Sequence, residues 1–109
     1  MQFTRGDTQP LKFQRLDAEG HPITAVPDEM YFTVKTNYAD KDFVLQKTLD
    51  DMTFGDDDCW HFVIEPSDTQ ELPVCMYVYD IEVTTDGNVF TISKGTLELL
   101  DEATWVENK

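Results

Sequence analysis

Apolar and polar residues alternate in short runs along this chain, and no run has the length and 3.6-residue period of a long helix. The clearest run is residues 76–83. Tyr77, Tyr79, Ile81 and Val83 fall on one face of an extended chain, and Met76, Val78, Asp80 and Glu82 on the other. A turn at Asp86-Gly87-Asn88 follows, and Asp-Gly tolerates the positive φ of a tight hairpin. The return run places Phe90 and Ile92 on one face and Thr91 and Ser93 on the other. Gly95 interrupts it and reads as a bulge or bend. Leu97 and Leu99 then share a face, with Leu100 and Val106 as further anchors. These two antiparallel strands read as the centre of the domain.

The rest of the chain repeats the pattern. Phe3 and Arg5 end a short first strand, and residues 6–10 turn. Residues 11–16 form an edge or bulged strand, with Leu11, Phe13 and Arg15 on one side and Lys12 and Arg15 as edge charges. A turn closes at Gly20. Residues 30–35 alternate well, with Phe32 and Val34 opposite Tyr31, Thr33 and Lys35. Residues 43–47 form a short strand with Phe43, Leu45 and Lys47 on one side, and Met52 and Phe54 anchor another. Trp60, Phe62 and Ile64 point one way, toward the core, and Cys59, His61 and Val63 the other. Residues 67–72 make one helical turn, with Ser67 and Gln70 or Asp68 and Glu71 as a capping box, and Pro73 stops it.

About seven to eight strands, with turns every eight to twelve residues, predict an all-β antiparallel β-sandwich, since each alternating sheet needs a second apolar face to cover it. The length of 109 residues predicts one domain over 1–109, with a C-terminal tail from about residue 101 that runs toward a neighbouring subunit. Seven Phe, four Tyr and two Trp are enough to build a core of that size.

Charge narrows the partners. The formal net charge is −14, and it is uneven. Residues 1–54 hold six basic and nine acidic side chains, and residues 55–109 hold two and thirteen. Such a surface repels nucleic acid and anionic membranes, so neither is expected as a partner. The N-terminus is not a signal peptide and no apolar run reaches transmembrane length, so synthesis in the cytoplasm is expected. Cys59 and Cys75 have no zinc-site spacing; a disulfide between them is thinkable, and two free thiols suit a reducing compartment better.

Candidate chemistry is thin. Asp50, Asp51, Asp56, Asp57 and Asp58 offer oxygen ligands of the kind calcium takes, but consecutive aspartates point in different directions, so solvated loop carboxylates are expected. His21 reads as a turn residue and His61 as a partly exposed strand residue. Asp80 and Glu82 share a strand face about 7 Å apart and read as surface charge rather than a glycosidase pair. No catalytic or metal residue is therefore assigned. Tyr31, Tyr38, Tyr77, Tyr79, Trp60 and Trp105 exceed what loops alone should carry, and some of them are expected in the core. Tyr38 and Trp105 are the expected partner contacts.

Several blocks resemble one family. Arg5-Gly6-Asp7-Thr8-Gln9-Pro10-Leu11-Lys12-Phe13 with Leu16-Asp17-Ala18-Glu19-Gly20, and then Met30-Tyr31-Phe32-Thr33-Val34-Lys35, are its first parts. Asp68-Thr69 before Tyr77-Val78-Tyr79-Asp80-Ile81, Val89-Phe90-Thr91-Ile92-Ser93-Lys94-Gly95 and Glu102-Ala103-Thr104 close it. Together, over roughly residues 5–104, the chain resembles the first domain of upper baseplate proteins and related tail-associated proteins of phages and prophages of Gram-positive bacteria. The resemblance implies an immunoglobulin-like β-sandwich. It also implies a non-enzymatic virion part without cofactor, which holds other virion or prophage proteins or itself and ends in the virion. Such a domain often anchors a longer protein; here a small adaptor, a tail accessory or a free-standing prophage product is expected. The family pattern has Gly before the tyrosine strand, where this chain has Val74-Cys75. The competing expectation is a β-sandwich that binds carbohydrate or another surface ligand.

Overall fold

The computed structural model describes residues 1–102. Eight strands form two packed sheets. The strands are β1 (Gln2–Thr4), β2 (Gln9–Phe13), β3 (Glu29–Lys35), β4 (Leu45–Thr48), β5 (Thr53–Phe54), β6 (Trp60–Ile64), β7 (Met76–Thr85) and β8 (Asn88–Leu100). A 3₁₀ turn (Leu49–Asp51) precedes β5, and a single helical turn, α1 (Pro66–Thr69), links β6 to β7. The larger sheet has the order β1-β8-β7-β3-β4, and the smaller β2-β6-β5. All the pairings between these strands are antiparallel except one: β1 lies parallel to the end of β8. The chain then changes sheets at Gly6, whose φ of 81° suits glycine and whose N–H is taken by the buried Thr69 hydroxyl at 2.8 Å.

Alternation decides the faces. Met30, Phe32 and Val34 of β3 and Tyr77, Ile81 and Val83 of β7 are buried, as are Trp60, Phe62 and Ile64 of β6. The sheets meet through aromatic rings: Phe32 of the larger sheet and Phe62 of the smaller lie 5.0 Å apart between centroids, while Phe54 and Trp60, 5.1 Å apart, pair within the smaller sheet. The Asp86-Gly87 turn has φ of 52° and 80°, positive at both central residues, as the two-residue hairpin demands.

Four local expectations need correction. The bulge in β8 falls at Ile92, between the pairs Ile81–Ser93 and Glu82–Thr91, and not at Gly95. Gly95 is instead a packing site: a Cβ there would stand 3.2 Å from the Tyr79 Oη and 3.3 Å from its ring. The second strand ends at Phe13 because its partner β6 begins at Trp60, opposite Phe13. Leu16 bridges to Pro22 in a separate small ribbon. β4 starts at Leu45; Val44 packs on the core in place of Phe43, which is 52% exposed. Finally, α1 is capped two or three residues earlier than expected, at Glu65, with Pro66 in the first turn. The Glu65 N–H donates to Asp68 Oδ2 at 2.7 Å, and the Lys47 ammonium of β4 meets the same oxygen at 2.7 Å.

The two sheets differ greatly in length. At about 3.3 Å per residue, β8 with its 13 residues nearly spans the 45 Å long axis of the molecule. β2 and β6 have five residues each. The smaller sheet therefore covers only the part of β7 and β8 remote from their turn.

Candidate interaction surface

The end where β8 finishes is closed by polar bonds. The Arg5 guanidinium donates to the Leu72 carbonyl at 3.2 Å and reaches Asp101 at 3.2 Å and Glu102 at 3.8 Å. The buried Tyr77 hydroxyl donates to the Pro73 carbonyl at 2.6 Å. Burial, and then Cys75 nearby, push the Tyr77 phenol well above its usual range.

The hairpin end is different. The bulge at Ile92 inserts one residue and so flips the parity of the strand. Phe90 thereby pairs with Val83 and lies on the core side, but past the reach of the smaller sheet. The loop between β2 and β3 covers it only in part. Leu16, Ile23, Val83, Phe90 and Ile92 line a cleft of about 560 Å³ with Gln14, Arg15 and Thr91. Phe90 is 54% exposed, and Leu16, Val26, Val89 and Ile92 are exposed with it. Asp28 clips the loop to the turn, its Oδ2 accepting the Asp86 N–H at 2.9 Å. The result is a cluster of exposed apolar side chains at one end of an acidic molecule. The alternation alone did not show this cluster, because a bulge position leaves no signal in it.

Tyr38 lies on the outer face of the larger sheet, on the connection between β3 and β4. A tight turn holds it: Asp40 Oδ2 accepts the Asn37 N–H at 3.0 Å, and the Asp40 carbonyl accepts the Lys35 ammonium at 2.7 Å. The Tyr38 hydroxyl donates between the carbonyls of Gly95 at 3.0 Å and Tyr79 at 3.3 Å. The Lys94 ammonium stands 5.7 Å from the Tyr38 ring centroid. The ring is half-exposed beside Asp80, Thr91, Ser93 and Lys94, in a shallow cleft of about 590 Å³. Trp105, the other expected contact, lies outside the described residues.

The remaining candidates separate in space. Residues 56–58 form the tip of the β5–β6 hairpin, closed by the Gly55 N–H to Cys59 carbonyl bond at 2.9 Å, with Asp58 at φ 60°. Asp57 Oδ1 accepts from His61 Nε2 at 2.9 Å and from the Cys59 N–H at 3.1 Å, and Oδ2 lies 3.6 Å from the Lys12 ammonium. The His61 bond, with help from Cys59 and Lys12, lowers the Asp57 carboxyl from 3.8 to about 2. Asp50 and Asp51 sit in the 3₁₀ turn, and Asp51 accepts the Thr48 N–H at 2.9 Å. Among the described residues no three His, Cys, Asp or Glu side chains gather as a metal site. His21 stands in the turn after β2, 3.6 Å from Glu19. Asp80 faces Lys94 and Thr33 on neighbouring strands, and Glu82 faces Tyr31 and Thr91. Cys59 and Cys75 are both free. Among the described residues no hydrogen bond joins a Ser or Cys side chain to a histidine, and exposed apolar side chains gather at the hairpin end. No protein-family model matches the chain, and no curated protein does.

Proposed function

We infer that the chain is a non-enzymatic assembly module of a phage or prophage tail or baseplate, acting through protein–protein contacts on an immunoglobulin-like sandwich. The observation that carries the contact reading is the uncovered hairpin end. Exposed Leu16, Phe90 and Ile92 line one cleft there with Ile23, and Val89 is exposed beside the turn, on a chain of net charge −14. Clustered apolar surface on an otherwise charged domain marks a place where another protein sits. The strand order supports the immunoglobulin-like assignment. β4-β3-β7-β8 follow the C′CFG order and β2-β6-β5 the B-E-D order of a variable-type domain. The Tyr77 bond to the Pro73 carbonyl has the form of a tyrosine corner, near the start of the F-like strand. The tail or baseplate setting rests on the resemblance of the turn and strand blocks alone.

The test is co-expression with the products of the genes that flank its own. A tail protein among them should co-purify with the chain as a defined complex, and Phe90→Lys should abolish that complex while leaving the fold intact. A neighbourhood without tail genes, or flanking tail proteins that all elute apart from the chain, would sink the reading.

One observation favours the carbohydrate reading. The half-exposed Tyr38 ring stands beside Asp80, Ser93 and Lys94, an aromatic platform next to hydrogen-bonding groups. Saccharide-induced shifts of amide signals around Tyr38, lost in Tyr38→Ala, would support it, and a glycan screen without any hit would remove it.

A further inference from the structure

β8 is 13 residues long, yet β1 pairs with it only from Glu98 to Leu100. The Met1 amine adds one bond, to the Thr96 carbonyl at 3.2 Å. On its other side β8 is paired with β7 from Asn88 to Glu98, apart from the bulge at Ile92. From Asn88 to Lys94 it is an edge strand, and all seven of these residues are exposed. Main-chain groups of an antiparallel strand point alternately toward and away from the neighbour. Glu98 turns its N–H to the Met1 carbonyl, so Lys94 also faces away from β7. Asn88 closes the two-residue turn against Thr85, so Val89 and Thr91 face away as well.

Sheets guard such edges with charge, proline, shortness or bulges. This edge has Lys94 and the bulge at Ile92, and it exposes Val89, Phe90 and Ile92. It is also electrostatically distinct: residues 88–97 hold one base and no acid in a chain of net charge −14.

We propose that residues 88–94 of two copies pair antiparallel about a two-fold axis, joining their five-stranded sheets edge to edge. The proposal rests on the assembly reading above and names its first partner as a second copy of the chain. One register satisfies the main chain: Thr91 of each copy opposite Val89 of the other, flanking a Phe90–Phe90 pair. The same register carries Lys94 toward the Asp86 end of the second copy, a contact of opposite charge. An extended segment of a basic protein fits less well, because the one charge on this edge is itself positive. The acidic remainder of each copy opposes the pairing through its field, and salt relieves that opposition.

Sedimentation velocity of the full chain tests this across protein concentration and from about 0.05 to about 0.5 M NaCl. The dimer fraction should rise with both. Thr91→Pro removes an outward N–H without touching the bonds to β7, and should weaken the dimer by about tenfold or more. Phe90→Lys should do the same through charge and lost apolar contact. Amide exchange at Val89, Thr91 and Lys94 should slow as the protein is concentrated. A strict monomer under all conditions overturns the proposal, as does a dimer that neither substitution weakens. Either result leaves the assembly reading standing, since that reading is decided by the co-expression test with flanking products.

Discussion

Thr69 is the one buried polar side chain among the described residues, and its task is narrow. Its hydroxyl takes the Gly6 N–H at 2.8 Å where the chain crosses from one sheet to the other. Thr69→Val keeps the shape and removes the acceptor, so the Gly6 donor is left buried and unmet. That should cost about 1–3 kcal/mol, read from urea denaturation. Asp57 is a second residue with a defined partner set. Its folded pKa of about 2 lies below the ordinary 3.8, so the native state binds this proton less readily than the unfolded chain. Its contribution is complete above the unfolded value and is lost as pH falls through the folded one. The Asp57 carboxyl signal in an NMR titration should move near pH 2, and in His61→Ala it should move closer to 3.8. The alternation of β6 made His61 legible as a partly exposed residue. Its bond to Asp57 was not legible, because it depends on the hairpin geometry of residues 55–59.

At the scale of elements, β7 and β8 carry the larger sheet and the exposed end. Two tyrosines converge on Gly95 from opposite sides. The Tyr79 ring covers it on the inner face, and the Tyr38 hydroxyl bonds its carbonyl on the outer face. Packing of that kind leaves no room for a branched side chain. Gly95→Val should destabilise the fold by about 1–3 kcal/mol through overpacking against Tyr79. Tyr38→Phe should cost about 1 kcal/mol, because the Gly95 and Tyr79 carbonyls there are within reach of water. Thermal or urea melts of the two variants check the ranking. The hairpin itself was legible from the tyrosine alternation and the Asp-Gly turn. The bulge was not, since Ile92 fits an unbroken alternation as well as it fits the extra position.

The molecule as a whole has one end latched by polar bonds around Arg5 and Thr69 and one end left apolar around Phe90. Its net charge of −14 works against the compact state by self-repulsion. Added sodium chloride should therefore raise the melting temperature, most steeply below about 0.1 M, where the screening length exceeds about 10 Å. A melting temperature independent of salt would mean that the acidic groups are spaced too widely to repel. The same repulsion bears on assembly, because any partner must approach where acids are sparse or bring positive charge of its own.

Alternation along the chain was enough for the class of fold, for a count of about seven to eight strands, for the inward faces of β3, β6 and β7, and for the turn at Asp86-Gly87. Each of these follows from the two-residue period and from local backbone sterics, which neighbours in the chain settle among themselves. The parallel docking of β1, the outward turn of Phe43, the split of the strands into five and three, and the exposure of Phe90 emerged only in the folded molecule. Those depend on which strands lie side by side and on how far one sheet reaches across the other. Contacts between residues far apart in the chain fix both, and the local pattern of the chain carries no record of them.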